Sequence, residues 1–357
     1  MPAPERTSDD GRCGGREVGR RSVLATLGTV GFGTAAGCVG DAAESDDGTR
    51  PDASDGTSSD DSTAGTDGDD ADATATPDRP DGYATPDPPA FDEPDEVTDG
   101  VELFRGVTFE ETPEATLKLD FHRPEGGTDL PLVLHVHGGA WEYGSRGTYT
   151  RWHADHGMAA ATIDYRLSGT AEYPAAVRDV VAAVTWLRTW AAESAGIDPE
   201  RVALRGASAG AHLAALVATA PGTETFAPVG LDPNVGSVDG FVGVSGIYDL
   251  GDGNGESDVA TKFFGCPPSD CPDVYREASP VEHVDGEAPP ALLWHGRSDQ
   301  LVPTEQSERF RAALEAADVP VTTLLPEDAD HVQMLKDPWR EAFRAAERSF
   351  LVDVLDL

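Results

Sequence analysis

From residue 101 onward, apolar positions fall into short runs whose period changes along the chain. Strands are predicted at 103–109 and, where polar and apolar positions alternate, at 116–121. The run 131–137 is nearly continuous in apolar residues (Leu132, Val133, Leu134, Val136), as in a strand covered on both faces. A second buried-type strand is predicted at 159–165. The period then lengthens. Val177, Val180, Val181, Val184 and Leu187 share one helical face. Pro174 suits the first turn of that helix, and Gly196 marks its expected end. Beyond it the pattern predicts strands at 201–204, 238–247, 291–294 and 319–325, with helices at 209–219, 304–316 and 337–355. The stretch 249–280 has no period and reads as irregular, a small cap insertion. Strands alternating with helices predict an α/β fold: a mostly parallel central sheet with helices on both faces. In such sheets function collects at the carboxyl ends of the strands.

The first hundred residues are organised differently. Arg12, Arg16, Arg20 and Arg21 precede a mildly apolar run at 23–36, which reads as an export signal over 1–40. Arg20-Arg21-Ser22-Val23-Leu24 resembles a twin-arginine signal, and Ala35-Ala36-Gly37-Cys38 resembles a lipobox. Lipidation of Cys38 is therefore expected, anchoring an extracytoplasmic protein to the cell membrane; the alternative is a plain cleaved signal and a secreted protein. Residues 41–99 carry 20 acidic residues, two arginines and no lysine. A segment of that composition buries too little apolar surface to offset chain entropy, so a disordered linker is expected.

Charge narrows the choice of partners. The chain holds 65 acidic and 26 basic residues, a formal charge of −39, and its lysines are Lys118, Lys262 and Lys336 alone. With no basic stripe to neutralise phosphates, nucleic-acid binding is excluded. Residues 100–357 hold 41 acidic and 19 basic residues, yet keep good apolar periodicity. They read as one folded domain with an acidic surface. The composition resembles that of proteins of halophilic archaea, in which salt screens self-repulsion. Cys266 and Cys271 lie five apart and are expected to close a small disulfide loop in an exported protein. Zinc would need a second ligand pair, which is missing, and neither metal nor cofactor is expected.

The candidate chemistry centres on Gly206-Ala207-Ser208-Ala209-Gly210, a Gly-x-Ser-x-Gly motif where an apolar strand meets a small-residue helix. That context holds a serine hydroxyl clear of the backbone, and Ser208 reads as a nucleophile. A serine needs a base, and His331, after the last strand, is the candidate. His295 and His212 read instead as packing residues, and His137 as part of a Gly-Gly loop. The orienting acid should come from another strand end. Asp299 fits, giving the chain order Ser208, Asp299, His331. Asp249, Asp328 and Asp330 are rivals. The N–H of Ala209 and the loop Gly138-Gly139 are the candidate oxyanion donors, since glycine lets the backbone approach a substrate oxygen.

These stretches, with Asp164-Tyr165-Arg166-Leu167 and Ser279-Pro280-Val281, resemble the α/β-hydrolase superfamily. Within it, His137-Gly138-Gly139-Ala140-Trp141 resembles the oxyanion loop of feruloyl-esterase-like, hormone-sensitive-lipase-like and kynurenine-formamidase-like members. The resemblance implies a serine hydrolase cleaving short-acyl or aryl carboxylic esters, small or polysaccharide-linked, through an acyl-enzyme. Trp141 and Ala140 are the implied substrate-pocket residues, while Asp164 and Arg166 are expected to fix loops. An amide or formamide hydrolase is the first alternative. A non-catalytic surface binding module is the second.

Overall fold

The computed structural model describes residues 79–147, 150–232, 237–251 and 257–357, so the export signal, Cys38 and the linker as far as residue 78 lie outside the described residues. Among those described, nine strands form one sheet: β1 (Glu96–Thr98), β2 (Val101–Glu111), β3 (Thr116–Pro124), β4 (Leu130–Val136), β5 (Ala159–Ile163), β6 (Ile197–Ala207), β7 (Gly240–Val244), β8 (Ala291–Trp294) and β9 (Val321–Leu324). Their spatial order is β1-β2-β3-β5-β4-β6-β7-β8-β9. Pairing is parallel from β5 to β9, while β1, β2 and β3 form an antiparallel edge. The helices are α1 (Arg151–Ala154), α2 (Ala175–Thr189), α3 (Ala192–Ala195), α4 (Ala209–Thr219), α5 (Asp258–Phe264), α6 (Pro272–Glu277), α7 (Glu305–Ala316) and α8 (Trp339–Val354).

The two-residue period of the strands sorts their side chains between two cores. Leu132, Leu134, Val136, Leu204, Phe241 and Leu293 face α2, α4 and α7. Val133, Ala203, Val242, Val244, Leu292 and Trp294 face Phe343 and Leu351 of α8. Each fully buried Leu, Val or Phe contributes roughly 1.5–3 kcal/mol. Arg205 and His135 share the parity of the second set, so a charge enters that core. Glu347 of α8 meets it: Arg205 Nε donates to Glu347 Oε1 at 2.6 Å, and Arg344 Nη1 to Oε2 at 2.9 Å. Burial pushes the Glu347 carboxyl up, but Arg205, His153 and Arg344 outweigh it and hold it well below the usual carboxylate range. A paired buried carboxylate of this kind ties the closing helix to β6.

Three expectations are corrected. First, the linker reading runs too far, because residues 79–99 pack on the domain. Arg79 makes a two-pronged bond to buried Glu110 at 2.5 and 2.8 Å, and Trp186 Nε1 donates to Pro86 O at 2.8 Å. Phe91 sits edge-on to Phe104 and Phe121 at 5.1 and 5.3 Å. These few anchors outweigh the acidic composition around them. Second, the helix expected to reach Gly196 breaks after Thr189. The N–H groups of Trp190 and Ala191 converge on Trp186 O, and α3 forms a separate turn that ends on Gly196 at φ 70°. Third, 249–280 is not wholly irregular. It carries α5, started by a Ser257 cap on Ala260 N–H, and α6; Phe263 and Tyr275 from them are buried in the first core.

Candidate active site

Ser208, Asp299, His331 and the Gly-Gly loop all follow the carboxyl ends of parallel strands. Ser208 links β6 to α4 at φ 54°, ψ −124°. A non-glycine residue held there costs on the order of 1–3 kcal/mol. Its neighbours enforce the turn. Ser208 N–H donates to Val244 O at 2.8 Å. A Cβ at Gly206 would lie 2.3 Å from Gly210 O, and one at Gly210 would lie 2.2 Å from Val136 O. Only glycine on both sides permits so close a passage of strand, loop and helix.

Asp299 and His331 come from adjacent loops that interlock. Ser298 N–H donates to Ala329 O at 3.0 Å, and Ser298 Oγ to Glu327 O at 2.9 Å. On the other side Val332 N–H reaches Ser245 Oγ at 3.2 Å. His331 is thereby held with Nδ1 2.7 Å from Asp299 Oδ2 and Nε2 3.1 Å from Ser208 Oγ. Asp299 Oδ1 accepts the N–H groups of Leu301 and Val302, each at 2.9 Å. Burial alone would push the Asp299 carboxyl up; the bonds from His295, His331 and Val302 N–H outweigh it and hold the group well below the usual carboxylate range. Asp299 is therefore anionic and can only accept. His331 Nδ1 must carry the proton, which leaves Nε2 free to accept from Ser208.

The rival acids are occupied elsewhere. Asp249 pairs with Arg309 at 2.5 Å, Asp330 accepts His331's own backbone N–H at 2.8 Å, and Asp328 is exposed. His212 and His295 are fully buried, and their hydrogen bonds run to Trp141 and Ala278 O and to Ser307 and Val302 O rather than to Ser208.

The loop after β4 approaches the serine closely. A Cβ at Gly138 would lie 2.7 Å from Ala207 O. Gly139, at φ 127°, accepts the N–H groups of Glu142 and Tyr143 at 3.0 and 2.8 Å. That turn leaves the N–H groups of Gly139 and Ala140 with no acceptor among the described residues, and Ala209 N–H, first in α4, is equally open. The helix end adds a partial positive charge beside Ser208.

Trp141 corrects the pocket reading. It is 4 % exposed, its ring stacks on Phe263 at 4.8 Å, and its Nε1 donates to His212 Nδ1 at 3.1 Å. His212 Nε2 in turn donates to Ala278 O at 2.8 Å, and burial lowers its pKa to about 4, so it stays neutral. Trp141 therefore props the oxyanion loop from within the core and does not line a pocket. Ala140, at φ 55°, remains partly exposed on the loop. His137 stacks on Tyr165 at 4.3 Å behind it.

The Cys266–Cys271 disulfide is formed and joins α5 to α6. Asp164 ion-pairs with Arg146, and Arg166 binds Asp179 at 2.6 Å, so both fix loops as the sequence suggested. Sequence reading missed the acceptor pair that seats Arg146, Asp120 with Asp164, and the contact of His295 with Asp299.

Among relatives, esterase LipQ of Mycobacterium tuberculosis is 32% identical over 200 residues, covering 54% of this chain and 47% of LipQ. Esterase LipC of the same organism is 32% identical over 226 residues, covering 59% and 55%. The chain thus spans about half the length of the relatives it matches. Similar solved structures include the esterase Est2 of Thermogutta terrifontis (TM-score 0.60, 24% identity, 72% of this chain and 93% of that one). An acetyl ester-xyloside bifunctional hydrolase from Caldicellulosiruptor lactoaceticus gives a TM-score of 0.57 at 24% identity, covering 66% and 88%. At these identities the likeness establishes the fold. The BD-FAE family model matches residues 119–314, from β3 into α7, a span that holds the Gly-Gly loop, Ser208 and Asp299. More than half of the sequence lies within that match, and the chain belongs to the BD-FAE family.

Proposed function

We propose that this protein is a carboxylic ester hydrolase using Ser208 as nucleophile, His331 as general base and Asp299 as orienting acid. The observation that carries this reading is the continuous hydrogen-bonded line from Asp299 through His331 to Ser208, beside three open N–H groups. Ser208 Oγ attacks the ester carbonyl carbon as His331 Nε2 takes its proton. The oxyanion is met by the N–H groups of Ala209 and of Gly139 or Ala140, donors worth about 2.7–4 kcal/mol each in comparable sites. His331 then protonates the departing alcohol, leaving an acyl group on Ser208. Water activated by the same imidazole releases the acid. Asp299 stays anionic throughout and stabilises the imidazolium.

The similar proteins that are named as esterases support ester rather than amide substrates. Short acyl groups are the favoured substrates; one related structure holds propionate, and another is named for acetyl ester and xyloside hydrolysis. The test is a panel of p-nitrophenyl acetate, methyl ferulate and N-formylkynurenine. It is run in molar salt, where the Debye length falls to about 3 Å and the acidic surface is screened. Turnover of the esters above the formamide is expected. Formamide turnover alone, or none at all, contradicts the proposal and favours the amidase or the binding-module reading.

We also propose export and anchoring through Cys38, on the strength of Arg20-Arg21 and the small residues before the cysteine. Cys38→Ser should move the protein from the membrane fraction to the soluble one. An unchanged distribution would refute the anchor.

A further inference from the structure

We propose that His295 is a positioning residue: it fixes which oxygen of Asp299 faces His331 and thereby sets the basicity of His331. This rests on the triad reading above. His295 is fully buried just after β8, four residues before Asp299. Its Nε2 lies 2.9 Å from Val302 O and 3.2 Å from Asp299 Oδ2. A carbonyl and an anionic carboxylate can only accept, so Nε2 carries a hydrogen. Its Nδ1 lies 2.8 Å from Ser307 Oγ of α7, whose hydroxyl can donate to it. The ring is clamped at both nitrogens, with a hydrogen on Nε2.

Asp299 is consequently held by three hydrogen-bond donors, with the His295 imidazole edge as a fourth, longer contact at 3.2 Å. Oδ1 takes two backbone N–H groups, and Oδ2 faces two imidazoles, those of His295 and His331. The carboxylate cannot rotate without breaking bonds on both oxygens. The His295 Nε2–H, aimed at Val302 O but 3.2 Å from Oδ2, also competes with His331 for the charge on that oxygen. Removing it leaves that charge to His331 alone, favours the imidazolium and raises the pH at which His331 becomes a base. Of the charges on the two loops, Asp330 is bound to the His331 and Gln300 N–H groups, and Arg297 of the Asp299 loop pairs with Glu308 and Glu327. From the opposite side Ser208 faces it uncharged, and Glu142 of the oxyanion loop is paired with Lys262.

The experiment is the pH dependence of kcat/KM for p-nitrophenyl acetate in the full chain and its His295→Gln and His295→Leu variants. Glutamine reaches about as far with its amide N–H. The Gln variant should keep the acidic limb in place. The Leu variant should move it upward by about half a unit to one unit. Its kcat should fall by roughly tenfold with KM nearly unchanged, as expected of a group felt mainly in the transition state. A Leu variant that loses rate with its acidic limb unmoved makes His295 a packing residue and overturns the proposal. A second measurement needs no variant: nitrogen NMR of the histidines in the wild-type protein. A protonated Nε2 and bare Nδ1 on His295 are expected, and the reverse tautomer overturns the proposal. His331→Ala separates the two readings. If it hydrolyses ester as fast as wild type, the triad falls and this proposal with it; if it is inactive, the triad stands and the limb position decides on His295.

Discussion

Ser208→Ala is expected to lose about 10⁵–10⁶-fold in kcat for ester hydrolysis while remaining folded. The substitution removes a single atom, Oγ, whose side-chain bond runs to His331 Nε2. Alanine feels the positive φ at this position about as serine does, so the strain of the turn is unchanged. The glycines that permit the turn, and the bond from residue 208 N–H to Val244 O, also remain. Unfolding free energy should therefore stay within about 1 kcal/mol of wild type, as for a change that makes no core cavity. Steady-state rates paired with a thermal melt make the comparison. A variant within tenfold of wild type would remove Ser208 from the chemistry, whatever its geometry.

Asp299→Asn should lower kcat by about 10⁴-fold, with Asp249→Asn close to wild type. The backbone N–H groups of Leu301 and Val302 will select the asparagine carbonyl oxygen for the Oδ1 position. Its NH₂ is then left facing His331 Nδ1, and a donor there forces Nδ1 to be bare. The imidazole proton moves to Nε2, which can no longer accept from Ser208. The same NH₂ meets the Nε2–H of His295, so stability falls as well. The depressed acidity of Asp299 works in the same direction. Its stabilisation is present above the unfolded pKa of about 3.9 and fades as the pH falls toward the lower folded value, so its loss on substitution is felt in full at neutral pH. Rates and melts of both variants, side by side, make the test. Equal losses in the two would place the orienting acid at Asp249.

The strands and the site were legible in the sequence to different depths. The bounds of α4 and β8 match their sequence readings because each is punctuated locally, α4 by the glycine-flanked turn and β8 by prolines before it and His295-Gly296 after it. The order of strand ends likewise gave Ser208, Asp299 and His331. Trp141 was misread because its motif says where the loop begins but not which way the ring turns; that depends on Phe263 and His212, 122 and 71 residues further on. The arm at 79–99 was misread because its anchors, Arg79, Pro86 and Phe91, are few, and their partners lie beyond residue 103. The ion pair of Arg205 with Glu347, 142 residues apart, left no local trace at all. Local signals thus carry turns and strand ends, whereas side-chain destinations are decided by packing between distant segments.

The proposed mechanism passes an acyl group through Ser208. Treating the full chain with an irreversible phosphonate ester and mapping the adduct by peptide mass spectrometry tests it most directly. About one equivalent of label is expected, on the peptide bearing Ser208, with labelling slowed strongly by His331→Ala. Label on another residue, or an unlabelled Ser208 in a protein that still hydrolyses ester, would contradict it.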